Sequence, residues 1–333
     1  MLPFLTAYDP LSSTNGSIDP LGSLQGYMTL ADMLLPGVTT ITTRSRYLSM
    51  LCAALSNAEA VRTFDLGTNG LAQRRQAIQP YDRLWALACV AAAQEGKARA
   101  SNGLRGVTKT EVRYKHYAAK GQPIGLDFKI LKYQERTGAV GTYWTAMVGG
   151  DLVDPDSGTL TAEGRDLAKA FPAPPLSEKD RVRLADPVKG KAIAIPIQDL
   201  LTWGRRVNLV DVKVPESVLL REALLSEDRR NCLYRAFSAL ESANALPEDW
   251  DSESVKALRE SVAAQKDATA LGLPDVLDAI LHFERFHEAV LCVFETLLWW
   301  GTELYREAII RTFDNWLHVN FFANLVRENE CRN

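Results

Sequence analysis

Apolar residues recur at helical spacing over most of the chain. The helices that this pattern predicts in the first hundred residues cover 20–35, 44–60 and 81–99. Those predicted in the last third cover 215–226, 228–243, 252–269 and a long stretch from Pro274 to about 327, broken near Gly301. The pattern therefore predicts a mainly α protein with a helical N-terminal region and a C-terminal helical bundle.

The middle of the chain has a different pattern. Residues 137–148 are spaced as a helix, and the segment 151–161 holds two short β-prone stretches around the turn-forming sequence Asp-Pro-Asp-Ser-Gly. Thr161 is well placed to N-cap a helix over 162–171. Because a winged helix ends with a recognition helix, a hairpin and a closing element, we predict a winged-helix-like module with a short β-hairpin over 104–171.

Breaks in these patterns set the expected domain boundaries, and 333 residues are enough for two or three domains. The predicted units are an N-terminal arm and helical region (1–103), the winged-helix-like module (104–171), a proline-punctuated connector (172–214) and the C-terminal bundle (215–333). In the connector, Ala192–Ile197 is a candidate strand, which Pro196 would place at a sheet edge.

Composition is that of an ordinary globular protein, with 47% hydrophobic and 24% charged residues and a formal net charge of −3. The first ten residues lack the features of a signal peptide, and the longest apolar run, Ala289–Trp300, is too short to span a bilayer. The five cysteines have no paired spacing and are expected to be buried free thiols. We expect a cytoplasmic protein without membrane contact, metal or cofactor.

Charge is unevenly spread along the chain and changes this picture. Between Lys97 and Arg136 there are ten Lys/Arg and three Asp/Glu, whereas from Glu216 to the end there are twenty-one Asp/Glu and twelve Lys/Arg. The asymmetry indicates a basic surface that suits phosphates and an acidic region that suits partner proteins.

The winged-helix-like module holds the first group of candidate nucleic-acid contacts. Thr142 and Tyr143 lie opposite the apolar face of the helix over 137–148, and Lys129, Lys132 and Arg136 precede or begin it. This helix has no Arg, Lys, Asn or Gln beyond its start to read base edges, so contact would be mostly independent of sequence. The alternative is a winged helix that contacts only protein or is purely structural.

Arg44 and Arg46 form the second candidate group. They follow the Pro36-Gly37 turn and a threonine-rich run, where hydroxyls and guanidinium groups could hold a phosphate. The alternative is a capped helix start with solvated charges.

Signatures of common enzyme classes are absent, including the Walker loop, GxSxG and HExxH. The sequence Asp211-Val212-Lys213, preceded by Asp199, has the alternation found in a family of metal-dependent nucleases. A divergent nuclease therefore stays open as an alternative, while no catalytic residue is assigned.

Three stretches carry a resemblance to other proteins. They are residues 19–55, with DPLG, LLPG and RSRY, residues 136–171, with LTAEGRDLA, and residues 289–300, AVLCVFETLLWW. They resemble an uncharacterised group of bacterial proteins associated with anti-phage defence islands. The resemblance implies an accessory or sensing component, and it transfers no catalytic residue.

We therefore predict a non-catalytic component of a bacterial defence system that contacts nucleic acid, with double-stranded DNA as the expected ligand. Its acidic, aromatic C-terminal bundle would dock partner proteins, whereas in a protein-only alternative the wing and the arm 1–19 would pack against a partner or a second copy of the chain. The alternatives are a structural or assembly subunit that makes protein contacts only, and the divergent nuclease.

Overall fold

The computed structural model describes residues 23–38, 42–65, 67–96, 103–247 and 251–299. This part of the chain is mainly helical, which confirms the predicted class. The helices are α1 (Ser23–Leu34), α2 (Arg46–Val61), α3 (Gly67–Ala77), α4 (Gln79–Gln94), α5 (Val107–Ala118), α6 (Gln134–Thr137), α7 (Ala139–Gly149), α8 (Ala162–Ala170), α9 (Glu178–Leu184), α10 (Ile197–Val207), α11 (Glu216–Leu225), α12 (Asp228–Ser242), α13 (Ser252–Ala263), α14 (Lys266–Ala270) and α15 (Leu273–Trp299).

Two of these helices form the centre of the core because they are buried on all sides. Every residue from Arg46 to Leu55 in α2 and from Pro80 to Ala92 in α4 is buried. The most extensive helix–helix contact joins α4 to α10. It requires Gly204, because a Cβ at that position would lie 1.9 Å from the carbonyl oxygen of Ala88.

One continuous hydrophobic core runs from Tyr47 to Ala223 and includes residues of α2, α4, α7, α8, α10 and α11. It therefore contains side chains from both sides of the boundaries predicted at 103, 171 and 214. A second, smaller core joins α12, α13, α14 and the first part of α15, and Leu34 and Leu35 pack against it. Helix α11 therefore belongs to the first core, and α1 packs against the C-terminal helices.

The predicted helix, turn and closing helix of the middle module are present as α7, a hairpin turn and α8. Thr161 caps α8 as predicted, its hydroxyl oxygen accepting the Gly164 N–H at 3.0 Å. The winged-helix arrangement itself is not confirmed. The hairpin is a single antiparallel bridge between Val153 and Leu160, both buried, so it packs inward and does not project as a wing.

The connector predicted over 172–214 contains more regular structure than its sequence indicated. It holds α9, α10 and the strand β2 (Ala194–Ile195), which lies inside the candidate strand and pairs antiparallel with β1 (Ile124–Gly125).

Free thiols are buried at Cys52, Cys89 and Cys232 but exposed at Cys292, while Cys331 lies outside the described residues. In the described part of the chain, no helix combines the length and hydropathy that a membrane span requires.

Candidate nucleic-acid interface

Five exposed lysines on α5, in the turn after it and on the segment that follows β1 define what we name the basic surface. They are Lys109, Lys115, Lys120, Lys129 and Lys132. The last two flank Ile130, whose side chain packs so tightly on Gly106 that a Cβ there would lie 1.7 Å from it. This contact joins the 129–132 segment to the start of α5, close to Lys109 in the sequence.

Few acids compensate these charges. Between residues 103 and 133 the chain carries seven Lys/Arg and only two Asp/Glu. One acid, Asp127, is paired with Arg113, which also lies over the rings of Tyr117 and Phe128. Among the described residues, none of Lys109, Lys115 and Lys129 has an ion-pair partner, so the surface keeps a net positive charge.

An exposed aromatic ring lies within the basic surface. Tyr133 is 60% exposed, and the ammonium of Lys132 is 5.2 Å from the centre of its ring. An exposed ring beside a cation is an arrangement suited to stacking on a base and contact with a phosphate. Lys129 and Lys132 are thus accessible as predicted. Arg136 belongs to α6, but its side chain lies outside the described part of the chain.

Arg46 is placed differently from its predicted role. Its side chain is 1% exposed and forms a double hydrogen bond with the buried carboxylate of Glu216, from Nε to Oε1 at 3.1 Å and from Nη2 to Oε2 at 2.9 Å. The same guanidinium donates to the carbonyl oxygens of Arg206, Asn208 and Asp211. Because every donor is used inside the protein, Arg46 cannot contact a nucleic acid in this structure.

Thr142 and Tyr143 are also inside the protein, because α7 turns this face towards α2. Tyr143 is 1% exposed and stacks on Tyr47, with ring centres 4.4 Å apart. Burial raises the pKa of Tyr143, and its hydroxyl accepts the backbone N–H of Arg44 at 3.2 Å. Thr142 and Tyr143, both predicted to contact nucleic acid, are therefore buried in the protein, and α7 is not an exposed recognition helix.

Arg44 is half-buried and lies beside a cavity that sequence reasoning did not find. The cavity has a volume of about 340 Å³, and Thr43, Gly103–Gly106, Leu131 and Thr137 line it. Among the described residues of this lining, Arg105 carries the charge; its Nε donates to the Thr137 carbonyl oxygen at 2.7 Å. The only sequence signal was the high density of Lys and Arg between 97 and 136, which does not single out Arg105.

The residues of the alternative nuclease site lie outside the described strands, whereas that motif needs an acid on a strand. Asp199 lies in the first turn of α10, whereas Asp211 and Lys213 lie in a segment that is not a strand. The Asp211 carboxylate accepts a hydrogen bond from the Asn208 amide at 3.1 Å. Among the described residues, no group of three or more His, Cys, Asp and Glu side chains could hold a metal ion.

The chain matches no protein-family model, no curated protein and no solved structure. What the basic surface binds is therefore inferred from its own side chains.

Proposed function

We propose that this protein is a non-catalytic nucleic-acid-binding protein that contacts phosphates through the basic surface. The observation that carries the proposal is the group of five exposed lysines with almost no compensating carboxylate. Lysine ammonium groups bind phosphates as point charges and release condensed counterions, which supplies most of the free energy of sequence-independent binding.

The predominance of lysine on the basic surface also indicates that binding would discriminate little between bases. Discrimination between bases needs bidentate donors and acceptors, which Arg, Asn and Gln supply and Lys supplies less well. The helix that could have carried them, α7, is buried. Tyr133 adds a stacking face that accepts any base, which favours single-stranded or partly unpaired nucleic acid over an uninterrupted duplex.

The experiment is an electrophoretic mobility assay with duplex and single-stranded DNA at roughly 50 and 200 mM salt. We expect binding at low salt that falls steeply at high salt. In the Lys129→Glu/Lys132→Glu variant, affinity should fall for every sequence. The slope of log K against log salt should decrease by about two, one for each phosphate that no longer meets a lysine.

The matched control is Lys179→Glu/Lys266→Glu, which makes the same change of net charge at exposed positions outside the basic surface. Its binding should stay closer to that of the parent protein. No binding at low salt, or an equal loss in the two variants, would show that the basic surface is not a nucleic-acid site.

Exposed apolar side chains on α1 support the proposed docking of partner proteins. Helix α1 exposes Tyr27, Met28 and Met33, each between 42% and 55% accessible, which suits a docking face for a partner protein. The resemblance of residues 19–55, 136–171 and 289–300 to proteins of defence islands supports a role in a multi-component anti-phage system. A structural subunit that contacts protein only is the second candidate, and absence of DNA binding at low salt would favour it.

A further inference from the structure

The cavity beside Arg105 has a composition suited to an anion. The described residues of its lining are two threonines, two leucines, two glycines and Arg105, and none of them carries a carboxylate. Its volume of about 340 Å³ lies at the small end of the range for small-molecule sites, which suits a molecule of nucleotide size.

The Arg105 side chain is anchored in the wall of the cavity by one donor, and its other donors are unused within the described part of the chain. Its Nε is anchored on the Thr137 carbonyl oxygen at 2.7 Å, while its Nη1 and Nη2 have no hydrogen-bond acceptor among the described residues. The Arg105 charge also acts on the Asp82 carboxylate, but that group is buried and accepts hydrogen bonds from Gln134 and from the backbone of Ala139. The guanidinium therefore keeps Nη1 and Nη2 available as donors, and two such donors are what binds two oxygens of a phosphate.

The walls of the cavity are fixed from below by a pair of stacked tyrosines. The Tyr47 hydroxyl accepts the backbone N–H of Arg105 at 2.7 Å, and the Tyr143 hydroxyl accepts that of Arg44 at 3.2 Å. Gly103 has a φ of +90°, and a Cβ there would lie 2.8 Å from Arg44 Nε, so the Arg44 side chain packs directly on this wall. A site with prearranged walls loses little entropy when a ligand binds.

We propose that this cavity binds a terminal phosphate monoester, carried either by a free nucleotide or by the 5′ end of a nucleic-acid strand. A monoester has a charge of about −1.5 to −2 at neutral pH, more than a backbone diester, and therefore gains more from the Arg105 fork. A strand end also enters a concave site more easily than a continuous backbone. The 5′-end form of the proposal rests on nucleic-acid binding by the basic surface, whereas the free-nucleotide form does not.

The test compares four probes on the intact protein. Fluorescence anisotropy measures a single-stranded oligonucleotide with a 5′-phosphate against the same strand with a 5′-hydroxyl, and calorimetry measures AMP against adenosine. We expect at least one preference of about tenfold, either for the phosphorylated strand over the hydroxyl strand or for AMP over adenosine. Arg105→Gln should abolish it, and Arg105→Lys should keep part of it.

Controls separate this site from the basic surface. Arg165→Gln removes an exposed arginine of α8 and should change nothing, whereas Lys129→Glu/Lys132→Glu should weaken both strands equally and keep the 5′-phosphate preference. Thr43→Asp places a carboxylate on an exposed wall and should abolish the preference without loss of folding, even if Arg105→Gln does not fold.

The outcomes are distinct. AMP binding that depends on Arg105, without binding of either strand, supports the cavity and overturns the proposed function. Strand binding without discrimination of the 5′ group, together with no AMP binding, supports the proposed function and overturns the cavity. Discrimination that survives both Arg105→Gln and Thr43→Asp also overturns it.

Discussion

Replacement of Arg46 by methionine tests whether this arginine is a structural element of the core. In the folded protein its guanidinium makes two hydrogen bonds to Glu216 and further bonds to three backbone carbonyls between residues 206 and 211. The two side chains are only 1% and 4% exposed. Arg46→Met therefore leaves a buried carboxylate and three carbonyl oxygens without a donor.

Removal of one partner of a buried ion pair costs about 3–5 kcal/mol because the other charge remains buried and unpaired. This is a large part of the roughly 5–15 kcal/mol that stabilises a typical protein. We expect Arg46→Met to lower the free energy of unfolding by this amount. Arg46→Met/Glu216→Leu should recover the part due to Glu216 but not the part due to the carbonyls, leaving a loss of about 1–3 kcal/mol.

Urea unfolding followed by tryptophan fluorescence measures these differences, and Arg206→Met, an exposed position in the segment that Arg46 holds, is the control with an expected change within about 0.5 kcal/mol. A loss below about 1 kcal/mol for Arg46→Met would refute the reasoning, because it would mean that the pair adds nothing that methionine cannot replace. Loss of DNA binding by Arg46→Met at unchanged stability would also refute it and would restore Arg46 as a contact residue.

Two further predictions concern α4 and the helix packed on it. Gly204→Ala places a Cβ 1.9 Å from the Ala88 carbonyl oxygen and should lower stability by about 1–3 kcal/mol or more, as measured by urea unfolding. Thr202→Ala, at an exposed position of α10, is its control, and an equal effect of the two would contradict the close approach of α4 and α10. Burial raises the pKa of Asp82 to about 6, so the folded state holds this proton more tightly than the unfolded state. The protonated Asp82 carboxyl stabilises the folded state fully below about pH 4, and this stabilisation is lost as pH rises through 6. The gain in stability from Asp82→Asn should therefore grow from near zero at pH 4 to about 3 kcal/mol at pH 8. A difference independent of pH in urea unfolding would show that Asp82 titrates normally.

Much of the secondary structure could be predicted because it depends on local interactions. The apolar spacing located α2, α7 and the C-terminal helices to within a few residues, and the Thr161 cap was recognisable because capping involves residues only three apart. Helix α10 was missed although its apolar residues are regularly spaced. Pro196 directly precedes it and Gly204 lies within it, and both residues are also typical of loops.

The candidate site could be predicted only in part. The excess of Lys and Arg between 97 and 136 located the basic surface, since long charged side chains are rarely buried without partners. The turn and threonine run before Arg46 wrongly predicted a phosphate contact, because the carboxylate partner of Arg46 lies 170 residues away in the sequence. Helical periodicity was also wrong for Tyr143, whose polar atom meets a backbone amide 99 residues away.

The sequence by itself determined the helical class, the turn and cap before α8, and the region of positive charge, because periodicity, capping and charge density are properties of neighbouring residues. Only the tertiary structure decided which face of α7 is buried, that the hairpin packs inward, and that the backbone at Arg44 and Arg105 meets at one cavity above Tyr47 and Tyr143. These features depend on pairings between distant segments, and a single sequence contains no local signal for such pairings.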